Sequence, residues 1–193
     1  MLETDTMQPT RTLAIALGAA SGLASALSCW LVIFRLEAPS GMGGTVRYLP
    51  GAILGGFICI EGQAILGWPR VSVARLGALI LVTTLAWRLS QWAHALGGPL
   101  QWLIASLLGA LGTCAGMMLA WPLRAIRRLL LMTATMIGLG GGVLFTLAST
   151  LHLYSLRLYG SAQLWPFILM CMWHCALLTA AGICLHRARS ASR

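Results

Sequence analysis

Residues 164–185 read LWPFILMCMWHCALLTAAGICL, without one Lys, Arg, Asp or Glu. A helix rises about 1.5 Å per residue, so roughly 20 apolar residues cross the ~30 Å hydrocarbon core of a bilayer. A surface helix of a soluble domain keeps a polar face, and this stretch has none. It reads as a membrane span. Five similar runs precede it, at 13–34, 50–67, 72–93, 99–121 and 129–150, each of 18 to 23 residues. The expected fold is an all-α integral membrane protein: a compact bundle of six transmembrane helices in a single membrane domain over 1–193. Short cytoplasmic tails are expected at 1–12 and 186–193.

Composition agrees with that reading. Of 193 residues, 59% are hydrophobic and 9% charged, whereas soluble domains carry about a quarter charged residues. This excludes a disordered chain, a fibrous repeat and an ordinary water-soluble globule. The longest connection, 35–49, is too short to hold a catalytic domain. Chemistry must lie within the bilayer or at its surface.

The net charge of +9 comes from thirteen arginines and no lysine, against four acids, Glu3, Asp5, Glu37 and Glu61. The arginines are scattered between apolar runs, which marks them as topology determinants; nucleic acid is not an expected partner. With six spans, Arg11, Arg70, Arg75, Arg124, Arg127, Arg128, Arg187, Arg189 and Arg193 share one side, and Arg35, Arg47, Arg88 and Arg157 the other. That bias puts both termini in the cytoplasm and suggests a bacterial inner membrane. Trp30, Trp68, Trp87, Trp92, Trp102, Trp121 and Trp165 fall near span ends, as an interfacial belt requires; Trp173 alone is mid-span. Ala24-Ser25-Ala26 offers a small-x-small cleavage site, but the apolar run continues to Phe34, so an uncleaved first helix is expected.

Small residues punctuate the spans. Gly18 and Gly22, Gly51 and Gly55, Gly112 and Gly116, and Gly138 and Gly142 each form a small-xxx-small pair, read as helix-packing positions. Gly138, Gly140, Gly141 and Gly142 also allow a hinge. Trp68-Pro69 before Arg75, and Trp121-Pro122 before Arg128 at the same spacing, read as recurring turn chemistry rather than a repeated hairpin. The cysteines, Cys29, Cys59, Cys114, Cys171, Cys175 and Cys184, all lie in apolar runs without a CxxC, so neither a disulfide framework nor a thiol oxidoreductase is expected.

Ionisable groups inside a membrane are costly, and are functional candidates for that reason. Two lie deep: Glu61, eleven residues into the second run, and His174, ten into the sixth. Both runs cross in the same direction, so the two side chains are expected at similar depth. They are candidates for a substrate- or ion-binding pair, with Gln63 as a polar neighbour. Arg75 is an alternative partner for Glu61. A metal reading rests on Cys171, His174 and Cys175, whose i, i+3, i+4 spacing places soft ligands on one helix face. Cys59 or Cys114 could supply a fourth ligand, and Met117, Met118, Met132, Met136 and Met170 further thioethers. A bis-His haem is not expected, because His94 and His152 lie nearer the outer boundary than His174. Ser21, Ser25 and Ser28 lack an identifiable deep partner, and Glu37 and Glu61 lie at different depths, so no catalytic residues are assigned.

Three readings remain open. The leading one is a small transporter, or a membrane-embedded substrate-binding subunit, using a buried polar site near Glu61. A second is an accessory or regulatory subunit of a larger membrane complex. A third is a metal-binding or embedded enzyme protein using His174 with Cys171 and Cys175; an enzymatic role is the less expected. The lipid bilayer is the expected partner, with a partner subunit or a homo-oligomer compatible with the glycine faces. No cofactor or substrate is named by the sequence.

Overall fold

A computed structural model describes residues 10–33, 46–66, 72–98, 100–121, 123–151 and 164–191. Six long helices account for nearly all of them, with no strand among the described residues: α1 (Arg11–Leu31), α2 (Leu49–Leu66), α3 (Val73–Ala95), α4 (Gln101–Ala120), α5 (Arg127–Thr150) and α6 (Leu164–Ala191). All six are long and apolar enough to cross a membrane. Their outward faces carry large apolar side chains, Ile60, Leu81, Met132, Met136 and Met172 among them. In water such a surface would aggregate; in lipid it is solvated.

Local chemistry sets the helix ends. Thr10 and Ser72 cap α1 and α3, accepting from the amides of Leu13 (3.2 Å) and Arg75 (3.4 Å). Pro50 occupies the first turn of α2, where its missing N–H costs nothing. After α3 the chain reverses through Gly97 and Gly98, whose φ angles of 75° and 95° suit glycine. The largest departure from the sequence expectation is α6, which runs 28 residues and carries the expected C-terminal tail from residue 186 onward as helix to Ala191. Arg and Ala are good helix formers, and Arg189 donates from Nη1 to the carbonyl of Ile65 at the end of α2. Being polar does not end a helix; losing its partners does.

The glycine pairs meet antiparallel partners, and glycine sets how closely these helices pack. A Cβ on Gly18 or Gly22 would lie 2.5 Å from the backbone of Thr179 or Cys175, so α1 lies directly on α6. Gly51 and Gly55 meet α3 at Thr84 and Ile80, Gly112 and Gly116 meet α3 at Ala86 and Leu79, and Gly138 and Gly142 meet α4 at Leu107 and Leu103. Without a hydrophobic drive between helices in lipid, such close approach is what gives them contact energy. All four small-xxx-small pairs are thus occupied within this chain. The Gly138–Gly142 segment passes through unbroken helix. α6 contacts α1, α2 and α5, closing the bundle.

This alternation brings Arg11, Arg75, Arg124, Arg127, Arg128, Arg187 and Arg189 to one end of the bundle, and Arg47 and Arg88 to the other. Arg35, Arg70, Arg157 and Arg193 lie outside the described residues, as do Glu3, Asp5, Glu37, His152, Trp68, Pro69 and Pro122.

Candidate functional site

His174 is fully buried, at 0% exposure, midway along α6. Its Nδ1 lies 3.1 Å from Ser25 Oγ on α1, itself completely buried. Gly22, one turn before Ser25, permits this contact by bringing the α1 backbone against His174 and Cys175. Ser25 therefore has the deep partner that its sequence position did not reveal. The other ring nitrogen, Nε2, is buried without a hydrogen-bond partner.

His174 is also among the residues that line a cavity of about 250 Å³ between α3, α4, α5 and α6, in the half of the bundle opposite the arginine-rich end. Its walls are aromatic: Trp87 and His94 from α3, Trp102 from α4, Phe145 from α5 and Trp173 from α6. The rings lock one another in place. His94 and Trp102 have centroids 4.0 Å apart, and Trp102 stacks on Phe145 at 5.3 Å and 12°. Trp173 Nε1 donates to Ser106 Oγ at 3.0 Å, which places the mid-span tryptophan across the cavity. Gly141 and Gly109 leave room for its indole. Trp87 Nε1 and His94 Nδ1, like His174 Nε2, are buried with no hydrogen-bond partner among the described residues. The three side chains that carry these atoms all line one apolar space.

Glu61 lies elsewhere. It is 1% exposed, and packs between α1 and α6, with Oε1 against the α-carbon of Gly182 and the carbonyl of Ala14 nearby. Gly182 is eight residues beyond His174, about 12 Å along the helix. The expected Glu61–His174 pair does not form: His174 faces Ser25, and neither carboxylate oxygen of Glu61 has a hydrogen-bond partner among the described residues. Depths counted from the starts of the apolar runs miss because the helices do not begin flush: Glu61 stands beside Gly182, farther from the start of α6 than Glu61 is from the start of α2. The alternative partner, Arg75, does not reach Glu61 either. Gln63, on the next turn, likewise has both amide atoms buried without partners.

Among the described residues no three of His, Cys, Asp and Glu are grouped to hold a metal ion. Cys175 Sγ is directed to the Ala19 carbonyl on α1 (3.6 Å), and His174 to Ser25. Cys59 Sγ points to the Leu76 carbonyl (3.9 Å). Met132 and Met136 face outward, Met117 is in the core, and Met170 lines the aromatic cavity, so the thioethers do not converge.

Sequence reading placed Trp87 and Trp102 only as interfacial anchors. The available signal was Trp173, the single tryptophan away from the span ends, beside the single deep histidine. Comparison with protein families, with curated proteins and with solved structures finds no match for this chain.

Proposed function

We propose that this multi-pass membrane protein binds a small, flat, largely apolar molecule in the cavity beside His174, as a small transporter or as the substrate-binding subunit of one. The observation that carries this reading is the partnerless Nε2 of a fully buried histidine at the wall of an aromatic cavity. Burying a polar atom unpaired costs about 1–3 kcal/mol. A ligand whose entry shifts the side chains covering Nε2 would recover that energy through one hydrogen-bonding group while its apolar body fills the space. Ligand sites of this kind are mostly apolar, with a few placed polar groups. Glu61 then serves packing at the α1–α2–α6 contact, not ligand recognition. The positive-inside bias puts the arginine-rich end and both termini in the cytoplasm, so the cavity lies in the outer half of the bundle. The glycine pairs that an accessory subunit would offer to a partner are used inside the chain, which favours binding over assembly.

The test uses 2-naphthol, a flat ring system whose single hydroxyl both donates and accepts, so it suits either tautomer of His174. Purified protein in detergent should transfer tryptophan emission to naphthol in a saturable manner. Ala105→Phe, which fills the cavity from its α4 wall, should abolish saturation and leave only the linear signal of micelle partitioning. Equal, unsaturable signals from both proteins would reject the site.

A further inference from the structure

A second hollow, of about 360 Å³, lies at the arginine-rich end, where α4 stops and α3 and α5 begin. Arg75, Arg124 and Arg127 surround it, with Met118, Leu119 and Trp121 completing its wall. All three arginines are exposed, and none has a side-chain hydrogen bond or ion pair to a described residue. Glu61, the sole acid among the described residues, is not part of it. Trp121 is 2% exposed and its Nε1 has no hydrogen-bond partner; its six-membered ring is held against Gly62, where a Cβ would collide with it.

Electrostatics makes this hollow incomplete. A helix N-terminus carries about half a positive charge and favours anions. Here α3 and α5 place Arg75 and Arg127 in their first turns, with no acidic residue there, and α5 has no side-chain cap for its leading amides. Positive side chains gathered on positive helix poles repel one another less when an anion lies among them. The surroundings indicate which anion. The hollow is level with the ends of the spans, where lipid phosphates lie, and Leu119 beside it is 57% exposed on the apolar flank. A lipid can set its phosphate among the arginines while its acyl chains run down that flank.

We infer that the hollow formed by Arg75, Arg124, Arg127 and Trp121 is a binding site for the phosphate of an anionic phospholipid. Basic pockets between spans commonly hold such headgroups.

The experiment is a titration of delipidated protein with dioleoylphosphatidylglycerol, read by native mass spectrometry, with dioleoylphosphatidylcholine and inorganic phosphate in parallel. One tight, saturable phosphatidylglycerol adduct is expected, with phosphatidylcholine much weaker. Arg75→Gln, Arg124→Gln and Arg127→Gln should each weaken it roughly fivefold, since a basic residue near the surface contributes about 1 kcal/mol. Trp121→Phe should weaken it with all charges intact. Arg128→Gln, at the same end but outside the hollow, should have little effect. A loss from Arg128→Gln equal to the others would mean diffuse attraction and overturn the site. Equal binding of the two lipids, or saturation by inorganic phosphate with no lipid preference, would overturn the lipid assignment.

Discussion

Among the described residues, Glu61 and His174 are the carboxyl and the imidazole buried most deeply in this bundle, and their surroundings differ in one respect. Glu61 is closely packed: Gly182 and Ala14 lie directly against it, and it lines neither the aromatic cavity nor the hollow at the arginine-rich end. His174 is tied to Ser25 and is among the residues that line a 250 Å³ aromatic space. Burial makes a polar group expensive in both cases. Only at His174 is there room for something else to offset that expense. Enclosure identifies a candidate, whereas adjoining space distinguishes a binding group from a packed one.

The sharpest way to break this contrast is to remove the space-saving residue at the closely packed site. In Gly182→Ala the new Cβ would sit 2.8 Å from the Ala14 carbonyl oxygen and closer still to Glu61. Because backbone lies on one side, relief is limited, and a loss of about 1–3 kcal/mol or more is expected. Thermal unfolding in detergent, followed by the recovery of monodisperse protein, measures it. A variant as stable as the parent would mean that Glu61 has slack and is not closely packed.

Next in size is His174→Leu, which leaves Ser25 Oγ buried without its partner, for an expected cost of about 1–3 kcal/mol. The same variant should lose naphthol binding. Retained binding would remove His174 from the site, even if stability fell. A finer measurement is the Ser25→Ala and His174→Leu double-mutant cycle. Interhelical hydrogen bonds in membranes couple by about 0.6 kcal/mol on average, and a coupling of that order is expected between these residues. Zero coupling would reduce the α1 contact to proximity. The smallest effect should come from Glu61→Gln, which keeps shape and leaves naphthol binding unchanged. Loss of binding there would return the functional role to Glu61.

Much of this architecture was legible in the sequence. Long apolar runs with few charges define six helices, because lipid cannot satisfy an exposed backbone or a stray ion. The glycine pairs were legible for the same reason, since only small residues let backbones touch in a medium as apolar as the side chains. What could not be read was which helices face each other, and at what height. Ser25 and His174 are 149 residues apart, and nothing local to either announces the other. Glu61 and His174 look level only if apolar runs begin flush, whereas Glu61 stands beside Gly182, well beyond His174 along α6. The aromatic cavity was hidden by a correct generalisation. Tryptophans do gather at span ends, but Trp87 and Trp102 also line the space that Trp173 and His174 complete.

The most direct test of the central claim is native mass spectrometry of protein extracted gently from its own membranes, comparing the parent with Glu61→Gln and Ala105→Phe. A co-extracted small-molecule adduct is expected on the parent and on Glu61→Gln, and absent from Ala105→Phe. An adduct that survives Ala105→Phe and vanishes with Glu61→Gln would contradict the account, and place the binding site at the carboxylate instead.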